Sequence, residues 1–124
     1  MAQKLTVLFV EDDPGIRSIL PDLLSDDEFT AIIADNGYAA MRILTERHVD
    51  LLFTDIVMPG IGGVELAQEA MLMCPGLRVI FFTGHYAEVD HAEKIAPLLH
   101  KPIRPYEIEI AIRMAFAEPP PTAH

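Results

Sequence analysis

The sequence predicts an α/β fold, with five parallel strands in a doubly wound sheet built from five βα units. Two observations carry that prediction. Short, largely apolar runs at Leu5–Val10, Leu51–Thr54, Val79–Phe82 and Leu98–His100 have the length of strands covered on both faces. Between such runs lie segments whose apolar residues recur at helical spacing, joined by short connections, and that alternation demands right-handed crossovers with helices on both sides of the sheet.

The elements follow in order. β1 centres on Val7–Val10, and Asp13-Pro14 supplies an N-cap followed by proline at the first helical position. The helix α1 then carries Ile16, Ile19, Leu20, Leu23 and Leu24 as its buried stripe. β2 covers Thr30–Ala34, Asp35-Asn36-Gly37 forms a turn, and α2 covers Tyr38–Arg47 with Ala40, Met41 and Leu44 turned inward. β3 is Asp50–Thr54, followed by a loop through Met58-Pro59-Gly60 and by α3 from Gly63 to Met73, which Pro75-Gly76 stops. β4 is Arg78–Thr83, α4 a weakly amphipathic Tyr86–Ile95, and β5 the brief Leu98–His100. α5 starts after Pro105 and buries Ile108, Ala111, Ile112, Ala115 and Phe116. Pro119-Pro120-Pro121 ends regular structure, which divides the chain into a domain at 1–118 and a proline-rich tail at 119–124.

Composition narrows the function. At 124 residues, 51% hydrophobic and 23% charged, the chain is sized and composed for one globular core. The single cysteine, Cys74, cannot form an internal disulfide and reads as a small buried side chain near the end of α3, so a reducing, cytoplasmic setting is expected. No apolar stretch approaches the ~20 residues needed to cross a bilayer, and Met1–Lys4 runs straight into a strand with no visible targeting segment. A net charge of −10 argues against nucleic acid as a direct partner and fits a basic protein surface or bound cations. The histidines, His48, His85, His91, His100 and His124, lack the spacing of a zinc site. The methionines read as core filler, with Met58, in the loop after Asp55, as the exception.

The chemistry gathers at the strand ends. In an open α/β sheet the carboxyl ends of the strands form the ligand-binding edge. Here they bring Glu11, Asp12 and Asp13, then Asp55, Thr83 and Lys101. A carboxylate attacks phosphorus when cations neutralise the approaching charge. Asp55, alone at the end of a central strand, is the natural acceptor. Glu11 and Asp12 can hold Mg²⁺, with Asp12, Asp55, a loop carbonyl and solvent completing an octahedron. Lys101 offers a point charge to a phosphoryl oxygen and Thr83 a hydroxyl donor. Asp13 is assigned to helix capping.

At these residues the chain resembles the receiver domain of two-component response regulators. The matching elements are Val10-Glu11-Asp12-Asp13-Pro14, Thr54-Asp55-Ile56-Val57-Met58-Pro59, Gly62-Gly63, Phe82-Thr83-Gly84 and Lys101-Pro102, in family order and at family spacing from about Leu5 to Phe116. The resemblance implies a flavodoxin-like strand order 2-1-3-4-5. It implies that Asp55 accepts a phosphoryl group from a histidine kinase or a histidine phosphotransfer protein. Asp12, Asp55 and the Val57 carbonyl would touch Mg²⁺ (or Mn²⁺) directly and Glu11 through water. Thr83 and Lys101 would be switch and phosphate clamp, Gly84 would keep the entrance open, and Val57 and His85 would tune phosphoryl lifetime. Leu98 stands where the family often has an aromatic switch residue, and Ile103 where it often has Phe.

The expected role is a signalling switch and not a turnover enzyme, acting without an output domain of its own or as a receiver cut from a larger regulator or hybrid kinase. A magnesium-dependent phosphohydrolase is disfavoured because Val57 stands where its general acid belongs. A flavin module is disfavoured by the acid cluster and by the lack of a phosphate-cradling loop after β1. A degenerate receiver that signals without phosphorylation is disfavoured by retention of the key positions. Ile110 and Met114 lie outside the buried stripe of α5 and are candidates for an effector or homodimer contact on the surface formed by α4, β5 and α5.

Overall fold

The computed structural model describes residues 4–15, 17–18, 29–84 and 89–117. Its five strands, Leu5–Val10, Phe29–Ala34, Leu51–Asp55, Arg78–Thr83 and Leu98–His100, form one sheet in the order β2-β1-β3-β4-β5. Every neighbouring pair is parallel. The helices are α2 at Gly37–Glu46, α3 at Gly63–Met73, α4 at Val89–Glu93 and α5 at Pro105–Ala117. α1 opens as expected: the Gly15 N–H donates to Asp13 Oδ1 (2.8 Å) and the Arg17 N–H to the Asp13 carbonyl (3.0 Å). The expected stripe Ile16, Ile19, Leu20, Leu23 and Leu24 lies outside the described residues, as do His85, Tyr86 and the tail.

Alternation along the strands builds two core layers, as a doubly wound sheet requires. Val7 and Phe9 of β1, Leu51 and Phe53 of β3, and Ile80 and Phe82 of β4 share one layer with Ile108 and Ile112 of α5. Leu8, Val10, Leu52, Val79 and Phe81 face the other way, onto Ala40 and Leu44 of α2, Leu66, Ala67 and Ala70 of α3, and Ala92 of α4. Within that layer the rings of Phe9 and Phe53 stack at 5.3 Å, and Phe53 meets Phe82 at 5.2 Å. Each such pair adds about 1 kcal/mol beyond its burial, and the row ties the two acid-bearing strands, β1 and β3, to β4, which ends in Thr83. Arg78 of β4 donates through Nε to the Ala115 carbonyl (2.9 Å) and lies over the Phe116 ring, pinning the last turn of α5.

Boundaries differ from expectation at a few points, each with a local cause. β2 begins at Phe29, which is buried and pairs with Leu5. Asn36 is less a turn residue than an N-cap: its Oδ1 accepts the Ala39 N–H (2.8 Å), so α2 starts at Gly37. β3 extends to Asp55, which pairs with Phe82. Pro105 is itself the first residue of α5, where its missing N–H goes unused. Among the described residues α4 spans only Val89–Glu93, in line with its weak amphipathic pattern. α3 ends as expected, with Gly76 at φ 90° in the turn that follows.

Candidate functional site

β1 and β3 lie side by side at the centre of the sheet, so the residues that end them meet. Glu11 follows β1 and is held by its N–H, which donates to the Ala34 carbonyl (3.1 Å). Asp55 ends β3, and the Ile56 N–H donates to the Phe82 carbonyl (3.1 Å), fixing the start of the next loop. β5 continues into Lys101, whose N–H donates to the Thr83 carbonyl (2.8 Å). That backbone bond ties the lysine to the end of β4.

The side chains converge. Glu11 is fully buried and Asp55 only 4% exposed, while Asp12 faces solvent. One oxygen from each of Glu11, Asp12 and Asp55 lies within 4.8 Å of the others. The Lys101 ammonium donates to Asp55 Oδ2 (2.7 Å) and to both Glu11 oxygens (3.1 and 3.0 Å). The other Asp55 oxygen, Oδ1, accepts the Val57 N–H (3.2 Å). An open cavity of about 600 Å³ is lined by Glu11, Asp12, Asp13, Asp55, Val57, Met58, Pro59, Gly84 and Lys101.

The electrostatics favour a bound cation. Four carboxyl groups, those of Glu11, Asp12, Asp13 and Asp55, line the cavity with one ammonium, so acidic groups are in excess. Burial pushes the Glu11 carboxyl up to about 7; the hydrogen bond from Lys101 opposes that rise and the charge of Asp55 adds to it. At Lys101 burial works to lower the pKa, but hydrogen bonds to Asp55 and Glu11 and their charges outweigh it, so the ammonium is held above its ordinary value. An all-oxygen, carboxylate-rich donor set beside open space suits a hard divalent ion such as Mg²⁺, which keeps several waters.

The close backbone approach that shapes the site comes from Gly63. Its N–H donates to the Ile56 carbonyl (2.8 Å), and a Cβ there would lie 2.0 Å from the Asp55 carbonyl oxygen. Only glycine lets α3 begin this close to the end of β3. At Gly84, by contrast, a Cβ would meet Lys101 at an ordinary 3.8 Å.

Of the residues singled out from sequence, Glu11, Asp12, Asp55, Val57, Gly84 and Lys101 come together around the cavity. Thr83 does not line it; fully buried, it ends β4 one residue beyond the partner of Asp55. Leu98 pairs with Phe81 and is half-buried against the core layer that holds α3 and α4. Ile110 and Met114 are 51% and 65% exposed, and with Pro97 and Leu99 they border a separate apolar groove of about 440 Å³. Sequence reasoning missed one contributor and gave another, Asp13, only its capping role. The Phe82 ring lies 5.1 Å from the Lys101 ammonium, and Asp13 lines the cavity as well as capping α1. An aromatic just before Thr83 was the only signal for the first.

A family model described as response regulator receiver domain matches residues 7–113. The chain is 37% identical over 91 residues to the response regulator receiver protein CpdR of Brucella abortus, covering 73% of this chain and 76% of that protein. It is 30% identical over 112 residues to sporulation initiation phosphotransferase F of Bacillus subtilis, covering 86% and 90%. Transcriptional regulators that it also matches are longer, and the chain spans 18% to 50% of their length. Among solved structures, the response regulator protein TrrA from Thermotoga maritima, in complex with Mg²⁺-BeF, superposes with a TM-score of 0.80 at 26% identity, covering 90% and 98% of the two chains. Among the described residues no helix is long and apolar enough to cross a membrane. Family match, strand order and the acidic site agree: the chain belongs to the response regulator receiver domains of two-component signalling.

Proposed function

We propose that the chain is a phosphorylation-controlled switch in which Asp55 is the phosphoacceptor. The observation that carries this reading is the Lys101 ammonium held 2.7 Å from Asp55 in a cavity that also gathers Glu11 and Asp12. An Asp55 oxygen attacks the phosphorus of a phosphohistidine on a histidine kinase or histidine phosphotransfer protein. The O–P bond forms as the N–P bond breaks, and the electron pair leaves on the imidazole, which takes up a proton from solvent. Asp12, Asp55 and the Val57 carbonyl would hold a magnesium ion, with Glu11 acting through water. That ion supplies positive charge against the repulsion between carboxylate and phosphoryl oxygens.

The residues of the chain then divide the work. The Val57 N–H orients Asp55 through Oδ1. Lys101 exchanges a carboxylate partner for a phosphoryl oxygen, and the Thr83 hydroxyl moves toward the same group. The absence of an acid at Val57 supports a persistent mark over general phosphohydrolase turnover. Rearrangement at the ends of β4 and β5 would reach the surface of α4, β5 and α5, where Ile110 and Met114 are offered to an effector or a second copy. Incubation with Mg²⁺ and a small phosphodonor, read by intact mass, tests the acceptor: wild type gains one phosphoryl group and Asp55→Asn gains none. If Ile110→Glu with Met114→Glu left partner binding and self-association unchanged, the surface would be misassigned.

A further inference from the structure

α2 touches the loop after Asp55 with its first two residues. A Cβ at Gly37 would lie 2.8 Å from the Ile61 Cβ, so backbone and side chain meet there at close range. Tyr38 lays its ring on Gly60: a Cβ at position 60 would lie 2.9 Å from Tyr38 Cε2. Gly60 also sits at φ 79°, so the turn there requires glycine on two counts. Tyr38 is 64% exposed, which leaves most of its ring outside the core. Its contact is with the loop.

That loop is hydrogen-bonded at its two ends, through Ile56 to Phe82 and through Gly63 to Ile56. Beyond the Val57 N–H bond to Asp55, its middle is held by packing: Met58 is buried in the core, Ile61 lies against Gly37, and Gly60 lies under Tyr38. The same loop carries Val57, whose N–H reaches Asp55 Oδ1 and which lines the acidic cavity together with Met58 and Pro59. α2 is itself anchored beside the site. Its Asn36 cap follows Ala34, whose carbonyl accepts the Glu11 N–H.

We propose that Tyr38 is a positioning residue for Asp55, its ring bracing Gly60 so that the loop holds the Val57 backbone at the acceptor carboxylate. The proposal builds on the phosphoacceptor reading only for its consequence; the brace itself is the contact between Tyr38 and Gly60. Removing the ring frees the middle of the loop, loosens the Val57 to Asp55 bond and misplaces the Val57 carbonyl. The phenolic hydroxyl is not required.

Amide hydrogen exchange on the metal-free protein reads the brace directly. In Tyr38→Ala the Val57 amide should exchange about tenfold faster while Leu52 and Phe53 in β3 keep their protection. Tyr38→Phe should match wild type, and Tyr38→Leu, which keeps bulk and is gentler on folding, should fall between. Magnesium titration by calorimetry should show weaker binding in the same order. Unchanged Val57 exchange in both Ala and Leu variants overturns the proposal, as does a loss of protection spread equally along β3 or a Phe variant as impaired as Ala. A wild-type chain that takes up no phosphoryl group would instead count against the phosphoacceptor reading, and the exchange result would still decide the brace.

Discussion

The ammonium of Lys101 lies 2.7 Å from Asp55 Oδ2 and within 3.1 Å of both oxygens of Glu11, so one cation bridges the carboxylates that end β1 and β3. It places a positive charge between two buried acids.

Removing that charge leaves the acids uncompensated. Lys101→Met should destabilise the metal-free protein by about 2 kcal/mol, less than a sealed ion pair would lose because the site opens to solvent and Glu11 can take up a proton. Urea denaturation checks this, and saturating Mg²⁺ should recover part of the loss. Equal stability of the two proteins without metal would show that the bridge contributes nothing.

The two glycines at the site should respond oppositely. Gly63→Ala forces a Cβ against the Asp55 carbonyl, and the backbone cannot yield without moving the start of α3. A destabilisation of about 3 kcal/mol is expected. Gly84→Ala meets Lys101 only at van der Waals distance and should stay within about 0.5 kcal/mol of wild type. Thermal melts of both variants make the comparison.

Magnesium affinity should depend on pH through Glu11. Its carboxyl is raised to about 7 by burial, so below that pH it holds a proton and above it adds a negative charge to the site. Binding therefore tightens as pH rises from about 6 to about 8, by up to about tenfold for one linked proton. Calorimetric titrations at the two pH values test this, and Glu11→Gln should remove the dependence.

Phosphoryl lifetime should answer to Val57, a residue 40% exposed that lines the cavity. Valine cannot orient an attacking water, whereas an amide can. Val57→Asn should speed dephosphorylation by about tenfold. An unchanged decay rate would remove Val57 from the account.

The sequence made the sheet legible because each central strand is a continuous apolar run and each site residue falls at a strand end. Parallel strands with their carboxyl ends at one edge then bring Glu11, Asp55 and Lys101 together. Periodicity assigns faces but not distances. It could not reveal that Lys101 bridges Glu11 as well as Asp55, that Phe82 lies beneath the ammonium, or that Gly63 must touch the Asp55 carbonyl. Tyr38 was hidden for the same reason: its partner Gly60 belongs to another element, and an exposed tyrosine on a helix carries no signal of its own. α4 was the least legible helix because its pattern commits weakly to a buried face.

Mapping the phosphoryl group after transfer from a phosphohistidine donor tests the central claim most directly. With Mg²⁺ present, tandem mass spectrometry should place a single hydroxylamine-labile phosphoryl group on the peptide containing Asp55, and Asp55→Asn should carry none. A phosphoryl group found on another residue, or equal labelling of the Asn variant, would contradict the assignment of Asp55 as acceptor.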